Sequence, residues 1–365
     1  MKTSSTQKRP ALGCRTLFFL NRPCMKHPAL LLTLLLLLNA CQHPDTPVKL
    51  QGETQGTYYS IIYYDSLQRN LQPQIDSVLN LIDCTVSLWN DNSLIRRINN
   101  GQDSLITPLF HDLLSKSRSI RQYTHGAFDC RIGALVSLYG FGFKKRADIQ
   151  PRQIDSLMAF LQPEAYLIAD STIQSGTQYY TLRRLTPIEF DFNAIAQGYT
   201  VDMLSNLFDS LGIHNHLIDV GGEVIAKGSK HDGTLWTVGI ERPAQNKYSS
   251  QEIETAIALH NQSVVTSGNY RKYYEKNGTR YSHTIDPATG HPVNHTLLSV
   301  SVVSSQSWYA DAMATSFMVM GLDKSLQFIN AHPDNPDIQA AFFIYHENGQ
   351  YLTYATPSFQ KMIIE

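Results

Sequence analysis

Hydrophobic positions along the chain keep two rhythms, one of two residues and one near 3.6, and the switches between them divide it into elements. Residues 56–64 are dense in aromatic and β-branched side chains and predict a β-strand. Ile75, Val78, Leu79 and Ile82 then recur at helical spacing, so 75–88 reads as an amphipathic helix. Polar residues 90–93 break it before a short helical piece over 94–98. A further helix is expected over 105–123, with Leu109, Leu113 and Ile120 on one side and Gly126 beyond its end. Residues 135–143 mix aromatics with Gly140 and Gly142, and Lys144-Lys145-Arg146 reads as a solvated turn. A helix over 152–161, short strands over 166–169, 179–185 and 188–192, and a helix over 193–211 closed by Gly212 follow.

From there the period of two dominates. Strands are predicted over 217–220, 223–227, 236–240, 254–259, 264–266, 280–285 and 298–303, most of them divided by Gly, Asn or Pro turns. Helices at 310–320 and 325–331 and strands at 341–345 and 352–354 close the chain. Strands and helices come in separate runs, which predicts an α+β fold of antiparallel sheets with helices packed around them, not a Rossmann alternation. No internal repeat or low-complexity segment interrupts the pattern.

A solid apolar run over 29–38 precedes all of these elements. It follows Lys26 and His27 and ends in Leu38-Asn39-Ala40-Cys41, a small residue before a cysteine. The run is well under the ~20 residues of a membrane span. Residues 1–41 therefore read as a secretory signal ending in a lipobox, with Cys41 as the lipid-bearing first residue of the mature protein; a retained anchor helix is the alternative. Met25 is a second candidate start. Residues 42–52 then form a tether and 53–365 the folded domain. In the mature chain only Cys84 and Cys130 accompany Cys41. Their flanks, a helical pattern and a Phe-Asp pair, argue against a disulfide. The formal net charge is −1 and no Lys/Arg run is longer than Lys144-Lys145-Arg146, which argues against a nucleic-acid partner.

Several polar constellations offer chemistry. Residues 282–293, Ser-His-Thr-Ile-Asp-Pro-Ala-Thr-Gly-His-Pro-Val, pack a histidine, a carboxylate and hydroxyls into a stretch closed by turn formers, so they belong on a loop. A functional loop and a plain surface turn both fit it. Asp311 and Thr315 stand four residues apart in a helix and project from one face. A carboxylate and a hydroxyl so placed suit a hard cation such as Mg²⁺, although an Asp near a helix start also answers the helix dipole. Asp191 sits where a strand gives way to a helix, with Gly198 further on allowing a close approach of another element. Asp219-Val220-Gly221-Gly222-Glu223 reads either as a backbone near a ligand or as a tight hairpin. Gly126-Ala127-Phe128-Asp129 pairs an aromatic face with a carboxylate able to accept from a ring N–H, and Trp89 stands at a wet position where a large ring can stack on a flat ligand. No phosphate-binding Gly-x-x-x-x-Gly-Lys loop, Gly-x-Ser-x-Gly elbow, Cys-x-x-Cys or His-Glu-x-x-His spacing occurs.

These segments, in this order from Gly56 to Gly321, resemble the bacterial ApbE family of FAD:protein FMN transferases. The resemblance rests on Gly-Thr-Tyr-Tyr, Ser87-Leu88-Trp89, Gly-Ala-Phe-Asp, the 191–202 segment, Asp-Val-Gly-Gly-Glu, Thr266-Ser267-Gly268-Asn269-Tyr270, His-Thr-Ile-Asp-Pro, and Ala310-Asp311-Ala312-Met313-Ala314-Thr315. It implies an ApbE-like fold and an enzyme that moves the FMN half of FAD onto a Thr or Ser hydroxyl of a partner, releasing AMP, with Mg²⁺. Carried over residue by residue, it implies Mg²⁺ on Asp311, Thr315 and the backbone carbonyl of Ala194. It implies FAD contacts at Gln55, Trp89, Ala127, Phe128, Asp129, Asp191, Gln197 and Ile285, and His283 as the group that activates the acceptor hydroxyl. Asp286 is a rival for that last role. Gln55 and Gln197 depart from the family, which usually has Met at the first position and Lys or Glu at the second. An Mg²⁺-dependent FAD pyrophosphatase and a non-catalytic FAD-binding lipoprotein stay open as alternatives. The implied partners are FAD, an acceptor of the redox-complex subunit type carrying a Thr/Ser flavinylation motif, and a membrane reached through the lipid anchor. The implied location is the periplasm, with Gln42 after the lipid-bearing cysteine pointing to an outer membrane.

Overall fold

A strand covered on both faces must send alternate apolar side chains into two different cores, and the central strands of this protein do so. The computed structural model describes residues 46–141, 149–162, 164–243, 252–269, 273–276, 279–333 and 335–364. In chain order the elements are β1 (Val48–Thr54), β2 (Thr57–Tyr63), α1 (Gln72–Val86), α2 (Leu94–Asn99), β3 (Leu105–Ile106), α3 (Pro108–Tyr123), α4 (Gly133–Leu138), α5 (Pro151–Phe160), β4 (Tyr166–Gln174), β5 (Thr177–Arg184), α6 (Ala196–Ser210), β6 (His216–Val220), β7 (Glu223–Lys227), β8 (Trp236–Glu241), β9 (Ile253–Leu259), β10 (Gln262–Gly268), β11 (Tyr273–Lys276), β12 (Thr279–Ser282), β13 (Leu297–Ser304), α7 (Ser307–Met320), α8 (Leu322–Ala331), β14 (Ala340–Glu347), β15 (Gln350–Ala355) and α9 (Pro357–Gln360).

Eight strands pair antiparallel in the order β1-β2-β6-β7-β10-β13-β14-β15, beside a three-stranded sheet β3-β5-β4 and the hairpins β8-β9 and β11-β12. On β13 and β14, Val300, Val302, Ala341 and Phe343 pack with Met313 and Phe317 of α7. Their neighbours Val303, Ala340, Phe342 and Ile344 pack on the other face with Trp236, Ile240, Ile257 and Leu259 of the β8-β9 hairpin and Phe359 of α9. Toward β2 and β6 the helical side is filled by Ile75 and Leu79 of α1 and by Val201, Leu204 and Phe208 of α6. Each fully buried Val, Leu, Ile, Phe or Met side chain among them contributes roughly 1.5–3 kcal/mol over its exposed state.

The antiparallel α+β expectation is what the chain adopts, with four corrections of detail. The stretch read as a tether over 42–52 already enters the sheet at Val48, because β1 pairs along its length with β2 and lays Val48 and Leu50 against the core. The helix expected from 105 starts at Pro108. Thr107 Oγ1 accepts from the Phe110 N–H, proline takes the first turn, and Leu105 and Ile106 pair with β5 instead. Residues 188–192 form only an isolated bridge, Ile132 with Glu189. The helix expected from 193 begins at Ala196. Cys84 and Cys130 are free thiols, as expected. Residues 1–41 with Cys41, and the Lys144-Lys145-Arg146 turn, lie outside the described residues.

Candidate active site

The site is organised where α6 and α7 touch. Gly198 makes that contact possible, since a Cβ on it would stand 2.4 Å from the Ser307 carbonyl oxygen and 2.8 Å from Asp311 Cβ. At this closeness the Gly198 N–H donates to Asp311 Oδ2 at 3.0 Å. An N–H at that position ordinarily closes on the carbonyl four residues back. Here the bond goes to Asp311, and among the described residues the Ala194 carbonyl receives no backbone hydrogen bond. One glycine thus turns a carboxylate and a bare carbonyl toward the same space.

Asp202, one turn beyond Gly198 on the same face, fixes the other end of the contact. Its Oδ1 accepts from the Ser307 N–H at 2.9 Å and its Oδ2 from the Trp308 N–H at 2.8 Å, so α6 caps α7 across the interface. The role of answering the helix dipole, open for Asp311 in the sequence, therefore belongs to Asp202. Asp311 lies in the second turn and is 5 % exposed. Among the described residues its carboxylate accepts only from Gly198. Burial pushes Asp311 up to about 7 and Asp202 to about 6. Thr315 lies one turn beyond Asp311, with its Oγ1 3.2 Å from Ser267 Oγ of β10.

These groups open onto a cavity of about 1080 Å³. Apart from Asp286, the residues singled out in the sequence for cofactor, metal or catalytic work line it: Gln55, Trp89, Ala127, Phe128, Asp129, Asp191, Ala194, Gln197, His283, Ile285, Asp311 and Thr315. Trp89 is 63 % exposed, a ring held at the rim. Gln55 and Gly56 form the two-residue turn of the β1-β2 hairpin, both with positive φ (51° and 73°), the backbone such a turn requires. Gln55 Nε2 donates to Thr200 Oγ1 at 2.8 Å, so this departure from the family pattern ties the turn to α6. Gly221 and Gly222 likewise join β6 to β7 with positive φ. The tight hairpin is what forms, and its turn borders the cavity. Asp191 Oδ1 accepts from the Asn193 N–H at 2.8 Å, and burial raises it to about 6.

Two expectations change. The Asp129 carboxylate is occupied by guanidinium groups, Arg131 Nη2 at 2.6 Å and Arg121 Nε at 2.9 Å, and it also takes the Arg131 N–H at 3.0 Å. Arg131 in turn donates to the Gln162 carbonyl. Asp129 is therefore a clamped wall residue, not an open acceptor for a ring N–H. Asp286 turns its carboxylate into its own loop, accepting from the Ala288 N–H at 2.9 Å and the Thr289 hydroxyl at 3.1 Å. His283 lines the cavity, with its ring edge-on to Phe141 at 6.3 Å between centroids; Asp286 does not line it.

The donor set fits a hard cation. Among the described residues no three His, Cys, Asp or Glu side chains converge on one point. What meets here is one carboxylate that pairs with no cation among the described residues, one hydroxyl and one bare carbonyl, all oxygen and few in number, as a magnesium ion that keeps water and phosphate ligands requires. Sequence reasoning missed Asp202 and Ser267. The four-residue step from Gly198 was the available signal for Asp202. For Ser267 the signal was its place in the Thr266-Ser267-Gly268-Asn269-Tyr270 segment, which gave it no role because only the sheet brings β10 under α7.

The sequence model of the ApbE family matches residues 55–342. The FAD:protein FMN transferase of Vibrio cholerae is 31% identical over 348 residues, covering 93% of this chain and 99% of the relative. That of Haemophilus influenzae is 30% identical over 337 residues, covering 89% and 94%. Among solved structures, the apo flavinyl transferase ApbE of Pseudomonas stutzeri superposes with a TM-score of 0.75 at 28% identity, covering 87% of this chain and 97% of that one. The flavin transferase ApbE from Vibrio cholerae gives 0.72 at 30% identity, covering 87% and 100%.

Proposed function

The chain belongs to the ApbE family, and from that membership together with the cavity we infer that it transfers the FMN half of FAD to an acceptor protein. It is a transferase whose substrates are FAD and a protein. We propose in addition that the acceptor group is a Thr or Ser hydroxyl, that Mg²⁺ is required, and that AMP leaves. The observation that carries this reading is the Gly198–Asp311 bond, which leaves the Ala194 carbonyl and a buried carboxylate facing the cavity that His283 also lines.

A phosphoanhydride is hard to attack because its oxygens repel a nucleophile and a departing phosphate accumulates charge. Magnesium held by Asp311, Thr315 and the Ala194 carbonyl would neutralise that charge. The protein's own groups do the rest. Trp89 offers a ring face to a flat ligand at the rim, while the Ala127–Phe128 wall, Gln55, Asp191, Gln197 and Ile285 border the space that FAD would fill. His283 takes the proton as the hydroxyl oxygen bonds to the FMN phosphorus and the anhydride bond to the AMP phosphate breaks. Asp286 is unsuited to that task because its oxygens are committed to the loop.

The test uses membranes from cells of the source organism lacking this gene, whose acceptors carry no transferred flavin. With purified enzyme, FAD and Mg²⁺, a protein band fluorescent under ultraviolet light should survive a denaturing gel. FMN and AMP without a labelled band would replace the reading with a pyrophosphatase, and tight FAD binding without AMP would replace it with storage. In the same assay His283→Ala should slow labelling by about a hundredfold. Asp286→Asn should label at close to the parental rate, and a reversed ranking would reassign the base.

We further propose that Cys41 is acylated after export and tethers the domain to a membrane facing the periplasm, the outer one where Gln42 directs sorting. The apolar run over 29–38 and the Leu-Asn-Ala-Cys sequence support this. Radiolabelled palmitate should enter the full chain and be lost in Cys41→Ser, which should then appear in the soluble fraction; label retained in that variant would remove the assignment.

A further inference from the structure

The transfer site needs a place for a second, much larger substrate, and β8 stands outside the main sheet, paired with β9 alone. The β8-β9 hairpin packs Trp236 and Ile240 onto the sheet and turns Thr237, Gly239 and Glu241 away from it. On β9, the Ala258 N–H donates to the Met362 carbonyl and the Ala256 carbonyl accepts from the Ile364 N–H. The C-terminal segment therefore covers the outer edge of β9, and Ile257 between those two alanines must point its own N–H and C=O at β8. Ile257 pairs with Val238, so the N–H and C=O groups of Val238 face β9. Those of Thr237 and Gly239, one residue to either side, face outward, and among the described residues no backbone group meets them.

That outward edge borders the cavity. Residues 237 to 241 line it consecutively. Side chains alternate between faces, so five successive positions can border one cavity only if the backbone edge does so as well. Proteins usually blunt an open edge with proline or lysine, or cover it, as residues 362–364 do for β9. β8 reads Trp-Thr-Val-Gly-Ile-Glu, with no proline and no lysine; its glycine makes room for the Ile253 side chain of β9, which a Cβ would meet at 2.9 Å.

We propose that the open edge of β8 is the acceptor dock: an extended segment of the acceptor protein adds as a third strand, bonded to the backbone of Thr237 and Gly239, and so carries its hydroxyl into the cavity lined by His283 and Asp311. This rests on the transferase reading, which already requires a protein substrate at this cavity. The occupant is the acceptor because the dock is continuous with the transfer site, and because FAD has no peptide groups with which to extend a strand. Recognition through main-chain bonds fixes register while leaving side-chain choice to flanking contacts, the strand-addition mode of peptide binding.

Proline separates the dock from the hairpin. At position 237 or 239 it deletes an N–H that points outward, and every β8-β9 bond survives. In the deletion-strain membrane assay, Thr237→Pro should lower the rate of covalent labelling by about tenfold, with FAD affinity by flavin fluorescence and the thermal midpoint unchanged. Thr237→Ala, which keeps the N–H, should restore labelling. Should Thr237→Pro lose its fold, Gly239→Pro makes the same test at the second outward amide. Parental labelling by a folded proline variant overturns the dock, as does equal loss in Thr237→Ala, which would mean the side chain is what is read. No labelling by the parent enzyme strikes the transferase reading itself, and the dock with it.

Discussion

Asp311→Asn should lower AMP release from FAD by on the order of a thousandfold while leaving the thermal midpoint at or above that of the parent chain. The two effects have one origin. Burial lifts Asp311 from 3.8 to about 7, a rise that corresponds to on the order of 4 kcal/mol against the ionised form. Without a cation the fold gains nothing from that charge, and asparagine keeps an oxygen for the Gly198 N–H. Catalysis needs the charge, because an amide oxygen is a poor ligand for a hard divalent ion and leaves the anhydride unscreened. Asp311→Ala should lose turnover to the same degree but also stability, by about 1–3 kcal/mol, because the Gly198 N–H is then buried without a partner. Thermal melts with and without Mg²⁺ add a check that does not use turnover: the ion should raise the midpoint of the parent and not that of either variant. Asp311→Asn turning over within tenfold of the parent would remove Asp311 from the metal assignment.

How much of this was legible in the chain depends on how far apart the partners are. The fold class followed from local rhythm, since helices and strands arrive in separate runs. That the sheet is buried on both faces did not. Leu297–Ser304 mixes leucine and valine with three serines, and only pairing reveals that Val302 and Val303 enter different cores. β1 was missed because Val48 and Leu50 are its only large apolar residues, and an edge strand needs no more. Within the site, what one helix can express was visible: Asp311 and Thr315 on one face, Gly198 as a point of close approach. The Gly198–Asp311 bond joins residues 113 apart, and no periodicity encodes such a distance. Asp129 and Asp286 show the opposite failure. Both were read as open carboxylates, and both are consumed by groups within eight residues, two arginines in one case and a turn in the other. A carboxylate beside arginines or inside an Asp-Pro-Ala-Thr turn is best taken as already engaged.

Gly198→Ala should be the most damaging of the small substitutions, lowering stability by about 2 kcal/mol and turnover by about a hundredfold. Two terms oppose each other. Alanine favours an exposed helix interior over glycine by about 1 kcal/mol, which alone would stabilise α6. Against it stands a Cβ 2.4 Å from the Ser307 carbonyl oxygen, a backbone atom that cannot rotate aside. Overpacking of this kind costs about 1–3 kcal/mol or more when neither side can yield, and here the second wall is Asp311 Cβ at 2.8 Å. The helices must therefore part, which stretches the Gly198–Asp311 bond and the Asp202 cap together and moves Asp311 away from the Ala194 carbonyl. Denaturant titration and AMP release should fall in step. Gly212→Ala, at a positive φ of 77° with nothing within 4 Å, supplies the contrast: backbone strain alone, with turnover retained. Parental stability in Gly198→Ala would mean that α6 and α7 do not approach as closely as the Gly198–Asp311 bond requires, and the oxygen-rich site would lose its scaffold.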